Sequence, residues 1–480
     1  MFMSSTARVT KDRFYPWLVL STTSLGSLLV LLNVGTLNVA LPVVTRHFHT
    51  TADLSSWILL SYMLVNTIFI LIFGRVADVF GRQKLYLIGL SVFTAAALLI
   101  GFSPNVGVLI TLRILQALGG ALVITNTTAL ITDSFPSKLL GTALGINVLV
   151  ASTAQLLGPV VGGFLASALG WRWVFWSSAP FGLIGLLWGL FTLKRTRTTK
   201  ARERIDFLGS LTILLALGGL ITGLSEGSVL GWGNPLVVLG LLLFVTMTPL
   251  FIIIEKFAAS PLLDFSLFKK WSYSAANVTN FLNFFAQTAV VVLCALYFQL
   301  VYHESSFQSG LKVLPITLGM LIMSPVAGIL TRKYSAQILS TIGLATSFIG
   351  VLIIVIVISP SVGYPLYGIG LFLIGCGGGL FLTPNTTTIM TSVPPHRRGI
   401  ANGVRSMLGN MGQVTSTAIS LMVVTVALPD HLKDIIYTGT TTGLSSSDLH
   451  FITSGFRYAF LVLMLAPFLG MFISYFRNAK

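Results

Sequence analysis

Two arginines, Arg113 and Arg405, fall inside long stretches that carry no other charge. A guanidinium deep in an apolar segment costs about 2.5–3.5 kcal/mol on insertion scales and must face a partner, a carbonyl or water. Its chemistry is charge coupling or recognition inside a cavity, with snorkelling to the segment end as the plainer role, easier for Arg405 than for Arg113. Gln116 follows Arg113 by one helical turn. No carboxylate lies in the middle of any such stretch. Proton carriage therefore falls to acids at segment ends: Asp78, Asp133 or Glu226, the last read as an outer-loop acid. The amides Asn33, Asn38, Gln155, Asn283, Gln287 and Asn410 lie within uncharged segments, where an amide serves as interhelical glue or as a cavity ligand. All six histidines sit between these segments and both cysteines, Cys294 and Cys376, sit inside them. No metal site, disulfide framework or clustered acid-base machinery is expected, and no G-x-x-x-x-G-K-[ST] phosphate loop occurs. The expectation is a protein that is not an enzyme, needs no cofactor and cannot be driven by its own ATP hydrolysis.

The elements that must position these residues follow from composition. Of 480 residues, 54% are hydrophobic and only 9% charged, against about 25% in soluble domains. Most of this chain must be solvated by lipid. Fourteen uncharged stretches are long enough to cross a bilayer at about 20 residues each, among them 17–41, 55–73, 106–131, 142–167, 207–225, 235–254, 310–331, 365–392 and 400–428. The first is too long for a signal-peptide core and is expected to remain in the membrane. An even count puts both ends on one side, and cytoplasmic connections should hold the basic excess. With the N-terminus inside, 22 of the 29 Lys and Arg fall on inner segments, five on outer ones and two within spans. The net charge of +16 is therefore a record of orientation rather than of affinity for nucleic acid. The run Lys194 to Arg204 reads as a cytoplasmic linker in contact with anionic headgroups.

The chain also repeats itself at an interval of about 258 residues, a signal that governs architecture. Thr125 to Ile131 parallels Pro384 to Met390. Pro136, Gly141, Ala143 and Gly145 are matched by Pro394, Gly399, Ala401 and Gly403, and Gly74 is echoed by Gly328. Spans one to six thus correspond to spans nine to fourteen, with spans seven and eight an insertion. Two parallel six-helix halves facing each other across a cavity form a transporter layout.

Gly74-Arg75-Val76-Ala77-Asp78-Val79-Phe80-Gly81-Arg82-Gln83-Lys84, between spans two and three, resembles the signature loop of the major facilitator superfamily. Such a loop suits a gate, with Gly74, Gly81, Arg82 and Lys84 beside an Asp78 able to pair with arginines or accept from a helix N-terminus across the halves. Arg113 with Gln116, Gly119 and Gly120 is similar to the fourth-span motif. Gly158-Pro159-Val160-Val161-Gly162-Gly163 is similar to the fifth-span antiporter motif, with Ala154 in place of the leading glycine. The runs Leu32 to Pro42 and Trp171 to Phe175 resemble the fourteen-span drug:proton antiporters, which usually carry an aspartate where this chain has Asn33.

The resemblance implies an all-α polytopic membrane protein with fourteen transmembrane helices (6+2+6) and both termini cytoplasmic. The expected division is 1–205 for the first bundle and linker, 206–255 for an inserted hairpin and 256–480 for the second bundle. It implies proton-coupled antiport of amphiphilic small molecules or drugs out of a bacterial cytoplasmic membrane, by a monomer whose partners are substrate, protons and the bilayer. Two embedded arginines without an embedded carboxylate favour neutral, zwitterionic or anionic amphiphiles over lipophilic cations. The alternatives are a carrier of an endogenous metabolite or lipid-like anion, and, from another class, a non-transporting membrane sensor.

Overall fold

The computed structural model describes residues 14–49, 52–193, 206–258, 261–263, 265–304, 306–429, 432 and 445–478, and among these every regular element is helical. The basic linker between the first bundle and the hairpin, and most of the outer loop 430–444, lie outside the described residues.

In the first half run α1 (Tyr15–Phe48), α2 (Ala52–Phe80), α3 (Arg82–Ile100), α4 (Val106–Ser134), α5 (Ser137–Ala168), the short α6 (Trp171–Trp176) and α7 (Ser178–Thr192). The hairpin is α8 (Phe207–Leu230) and α9 (Pro235–Phe257). The second half has α10 (Phe265–Phe268), α11 (Trp271–Tyr302), α12 (Ser306–Lys312), α13 (Leu314–Leu330), α14 (Ala336–Val357), α15 (Tyr364–Ser392), α16 (Arg398–Val426) and α17 (Ser446–Tyr475). Polar residues start several of them: Asn105, Asp206, Asn234 and Ser335 each accept from a first-turn backbone N–H of α4, α8, α9 and α14, satisfying donors that lipid cannot.

Among the described residues thirteen helices are long and apolar enough to cross a membrane, against the fourteen expected. The difference is α16, in which Asn402, Arg405, Asn410 and Gln413 dilute the apolar residues. Its surroundings explain how it stays so polar: α2, α4, α8, α11 and α17 all pack against it, so its polar residues face protein, while the apolar Met422 and Val426 near its outer end are exposed.

The packing repeats with the sequence. In the first half α1 packs on α5 and α7, α4 on α2 and α3, and α3 on α7; the same pattern recurs as α11 on α16 and α17, α15 on α13 and α14, and α14 on α17. The halves meet along two equivalent seams, α2 with α16 and α13 with α5, and α8 lies against both α2 and α16. "Inner" denotes below the end of the bundle that carries the basic excess.

One assignment of an acid needs correction. Glu226 is not in an outer loop, because α8 continues to Leu230 and buries it at 3% exposure. Glu255 lies in the last turn of α9, also 3% exposed. Both helices run beyond the uncharged stretches by which spans were counted, since lateral packing lets a helix carry an acid at its end.

Candidate functional site

The first site closes the inner end of the α2–α16 seam. Gly74 and Gly399 meet backbone to backbone: a methyl group on Gly74 would lie 2.6 Å from the Gly399 carbonyl oxygen. One turn below, Asp78 receives the backbone N–H of Gly399 at its Oδ1 and that of Ile400 at its Oδ2, each at 3.1 Å. These are free donors in the first turn of α16, where the helix dipole favours an anion. Arg82 donates to Asp78 Oδ1 through Nε at 3.0 Å and Nη2 at 2.6 Å. It also donates to Asp133 and, at 2.5 Å, to the Pro395 carbonyl of the opposite half. Asp133 binds Arg398 of the opposite half at 2.8 Å.

Gly81 makes this possible. Its φ of 98° lets the chain turn sharply from α2 into α3, placing Arg82 in the first turn beneath Asp78, a backbone state that L side chains resist. Lys84, a member of the same loop motif, is exposed and has no part in the cluster.

At the other seam the corresponding residues do something different. Gly328 packs on Gly141, where a methyl group would meet the Gly141 carbonyl oxygen at 2.5 Å. The place of Asp78 is taken by Arg332, whose Nη2 donates to the Thr142 hydroxyl at 3.0 Å. A cation at a helix N-terminus gains nothing from the dipole. The duplicated gate is thus charged on one seam and weakly held on the other. Further up, Asn402 Nδ2 donates to the carbonyls of Ile124 and Thr125 at 3.2 and 2.8 Å, and Asn410 Nδ2 to the Thr67 hydroxyl at 3.0 Å. The seam hydrogen bonds found between the halves therefore run from mid-bundle to the inner end, so this is an inner-closed arrangement.

Asp78→Asn tests the latch directly. The amide keeps one acceptor oxygen and loses the charge, and a hydrogen bond to a charged group contributes about 1.5–3 kcal/mol. The inner-open population should rise roughly ten- to hundredfold, read as longer spin-label distances between the inner ends of α2 and α16. Unchanged distances would remove the latch role.

The second site surrounds Arg113, which is 1% exposed. Its Nη1 donates to Asn33 Oδ1 at 2.9 Å and Gln116 Oε1 at 2.5 Å, and its Nε reaches the Ile58 carbonyl at 3.4 Å. The guanidinium lies over the Tyr62 ring, 4.3 Å from its centroid, and Asn33 Nδ2 donates to the Ser178 hydroxyl at 3.1 Å. No carboxylate pairs with it among the described residues. Instead of snorkelling, the charge is held inside the first bundle by amides, a carbonyl and an aromatic face. The Tyr62 hydroxyl and Gln116 Nε2 have no hydrogen-bond partner among the described residues. Gly120 leaves the space that the hydroxyl occupies.

Residues 23–417 match the Major Facilitator Superfamily model. The chain belongs to the major facilitator superfamily. It is 33% identical over 405 residues to multidrug resistance protein Stp of Mycobacterium tuberculosis (strain CDC 1551 / Oshkosh), covering 84% of this chain and 74% of that protein. It is 29% identical over 410 residues to the tetracenomycin C resistance and export protein of Streptomyces glaucescens, covering 84% and 75%. The crystal structure of the human organic anion transporter MFSD10 superposes with a TM-score of 0.66 at 14% identity over 96% of this chain and 99% of that one. This protein is a multi-pass membrane transporter of that superfamily, not an enzyme.

The remaining expected residues of this superfamily transporter scatter. Gly158 and Gly162 bring α5 onto α1, where added methyl groups would meet Gly35 and Thr36; Gly163 is half-buried, and the side chains of Pro159 and Asn38 lie outside the described residues. Gln155 is exposed on the stripe of α5 that continues from Gly141, Gly145 and Val148, where the halves have parted. Asn283 is 2% exposed, and Gln287 Nε2 donates to the Ile374 carbonyl at 3.4 Å inside the second bundle. Arg405 is half-buried, turned back on Asn402 Oδ1 at 3.0 Å. It therefore joins the seam and does not reach the inner face.

Nothing in the sequence distinguishes Tyr62 from other aromatics in spans, and Pro395 and Arg398 carry no signal beyond lying beside the repeat residues Pro394 and Gly399; Arg332 is legible as the counterpart of Asp78, four residues after Gly328. Arg477, beyond the last span, is 2% exposed and donates to Asn385 Oδ1 at 3.0 Å. Burial lowers it to about 10, so it remains charged at neutral pH and ties the segment after α17 to α15.

Proposed function

We propose that this transporter exports amphiphilic molecules from the cytoplasmic side by proton antiport, and that its substrates are neutral, zwitterionic or anionic rather than cationic. The observation that carries the charge preference is the embedded Arg113 with only uncharged partners among the described residues, Asn33 standing where the drug:proton antiporters it resembles usually carry an aspartate. Its field is uncompensated locally, and in a low-dielectric interior that disfavours a lipophilic cation. Export is supported by the two bacterial relatives, named for multidrug resistance and for resistance and export. Alternating access is supported by the two seams, which are glycine contacts and polar latches able to separate without breaking either bundle.

The test is reconstitution in liposomes with an imposed pH gradient and matched cationic, neutral and anionic amphiphiles. Gradient-dependent movement of the neutral and anionic members, with proton flux in the opposite direction, is expected. Strong export of ethidium would overturn the charge preference; transport indifferent to the gradient would overturn antiport.

A further inference from the structure

The inserted hairpin holds a pair of acids that the gate does not use. Asp206 caps α8, its Oδ1 accepting the Gly209 N–H at 2.8 Å. Glu255, near the inner end of α9, accepts the Leu263 N–H at its Oε2 at 3.0 Å. Each carboxyl thus has one oxygen bound to backbone, while Asp206 Oδ2 and Glu255 Oε1 are buried with no hydrogen-bond partner among the described residues. These two oxygens converge on one spot: a methyl group added to Gly209 would meet both of them. A glycine here leaves the space between the two acids open.

Among the described residues the charged neighbours are few; Arg202, Glu203 and Arg204 lie outside them. From α2, Arg75 lies within electrostatic reach of Glu255, as does Asp206 from α8. On its own helix Lys256 is exposed. Of the arginines on α16, Arg398 is bound to Asp133 and Arg405 to Asn402. Asp264 lies outside the described residues. Two carboxylates whose free oxygens converge on one buried spot cannot both stay ionised cheaply, and one shared proton removes the repulsion and satisfies both orphan oxygens.

We propose that Asp206 and Glu255 form a proton-binding site on the inserted hairpin, holding one proton between Asp206 Oδ2 and Glu255 Oε1 while the inner mouth is closed. The proton is taken from water at the inner face, the pair then carries one negative charge instead of two, and the proton returns to that water on release. Movement of α2 carries Arg75 and Asp78 together, and α8 rests on both α2 and α16. Opening the seam therefore changes the field at the pair, which makes the hairpin a proton-sensitive brace on the charged seam.

Infrared titration of the full chain in nanodiscs, without substrate, tests this. A protonated-carboxyl C=O band that shifts in D2O is expected. Glu255→Gln keeps the acceptor for Leu263 and should abolish the band. Asp206→Asn still caps α8 and should move its titration to lower pH by removing the like charge. A band unaffected by Glu255→Gln, or titrating identically in Asp206→Asn and wild type, would overturn the shared proton. So would a band that appears only when sodium is replaced by choline, since the pair would then hold a metal cation. None of these readouts requires transport, so the site and the antiport reading fail separately.

Discussion

Gly399→Ala should hold the inner mouth open and reduce export by roughly ten- to hundredfold, with the protein still folded and inserted. Its new methyl group would stand 2.5 Å from both the Gly74 carbonyl oxygen and Asp78 Oδ1, below any van der Waals contact. The obstructing carbonyl belongs to α2 itself and cannot rotate away, so the helices must separate. Overpacking of this kind costs about 1–3 kcal/mol, and the whole penalty falls on the inner-closed state because only there do α2 and α16 touch. Gly141→Ala should be milder, since its methyl group would meet chiefly the Thr331 side chain, which can turn, with the Gly328 carbonyl at 3.2 Å. Gly310→Ala has open space around it and serves as a silent control. Export assays with spin-label distances across both seams provide the readout. Gly399→Ala exporting like Gly310→Ala would show that closure does not need this contact.

Asn33→Asp should reverse the charge preference of the transporter. The new carboxylate would stand where Asn33 Oδ1 now accepts from Arg113 at 2.9 Å, giving the guanidinium a charge-assisted partner and cancelling its field. Export of lipophilic cations should rise relative to matched anions by about tenfold or more, in line with the effect of one full charge in a poorly screened interior. Arg113→Ala should lose export of all substrates, because Asn33 and Gln116 would each keep a buried oxygen without its donor, at about 1–3 kcal/mol apiece. Arg113→Lys should recover little, since an ammonium cannot reach two amides and the Ile58 carbonyl while lying flat on the Tyr62 ring. Efflux of the matched amphiphiles from proteoliposomes measures all three. An unchanged cation-to-anion ratio in Asn33→Asp would mean that Arg113 does not set selectivity.

The sequence shows how much of this could be read in advance. Asp78 stands out because its flanking glycines and basic residues have a recognisable spacing, but its partners across the seam are more than 300 residues away, and no local pattern links 78 to 399. The repeat came closer. Gly74 and Gly328, and Gly141 and Gly399, are visible as equivalents, yet each seam joins a residue of one pair to a residue of the other, which only the pseudo-symmetric arrangement reveals. Arg113 was evident as a charge out of place, whereas its stacking partner Tyr62 was not, because an aromatic in a span has several ordinary roles. Glu226 reads as a loop acid from sequence for a simple reason: counting spans by absence of charge ends a helix at its first acid, while packing carries α8 past it.

The polarity of α16 bears on biogenesis. A segment containing Asn402, Arg405, Asn410 and Gln413 gains little by partitioning into lipid alone, and in the finished bundle α2, α4, α8, α11 and α17 pack against it. It is expected to insert poorly as an independent stop and to settle only when α2, α4, α8 and α11, all made earlier, and α17 behind it are in place. The α2–α16 seam would then form only when nearly the whole chain has been made.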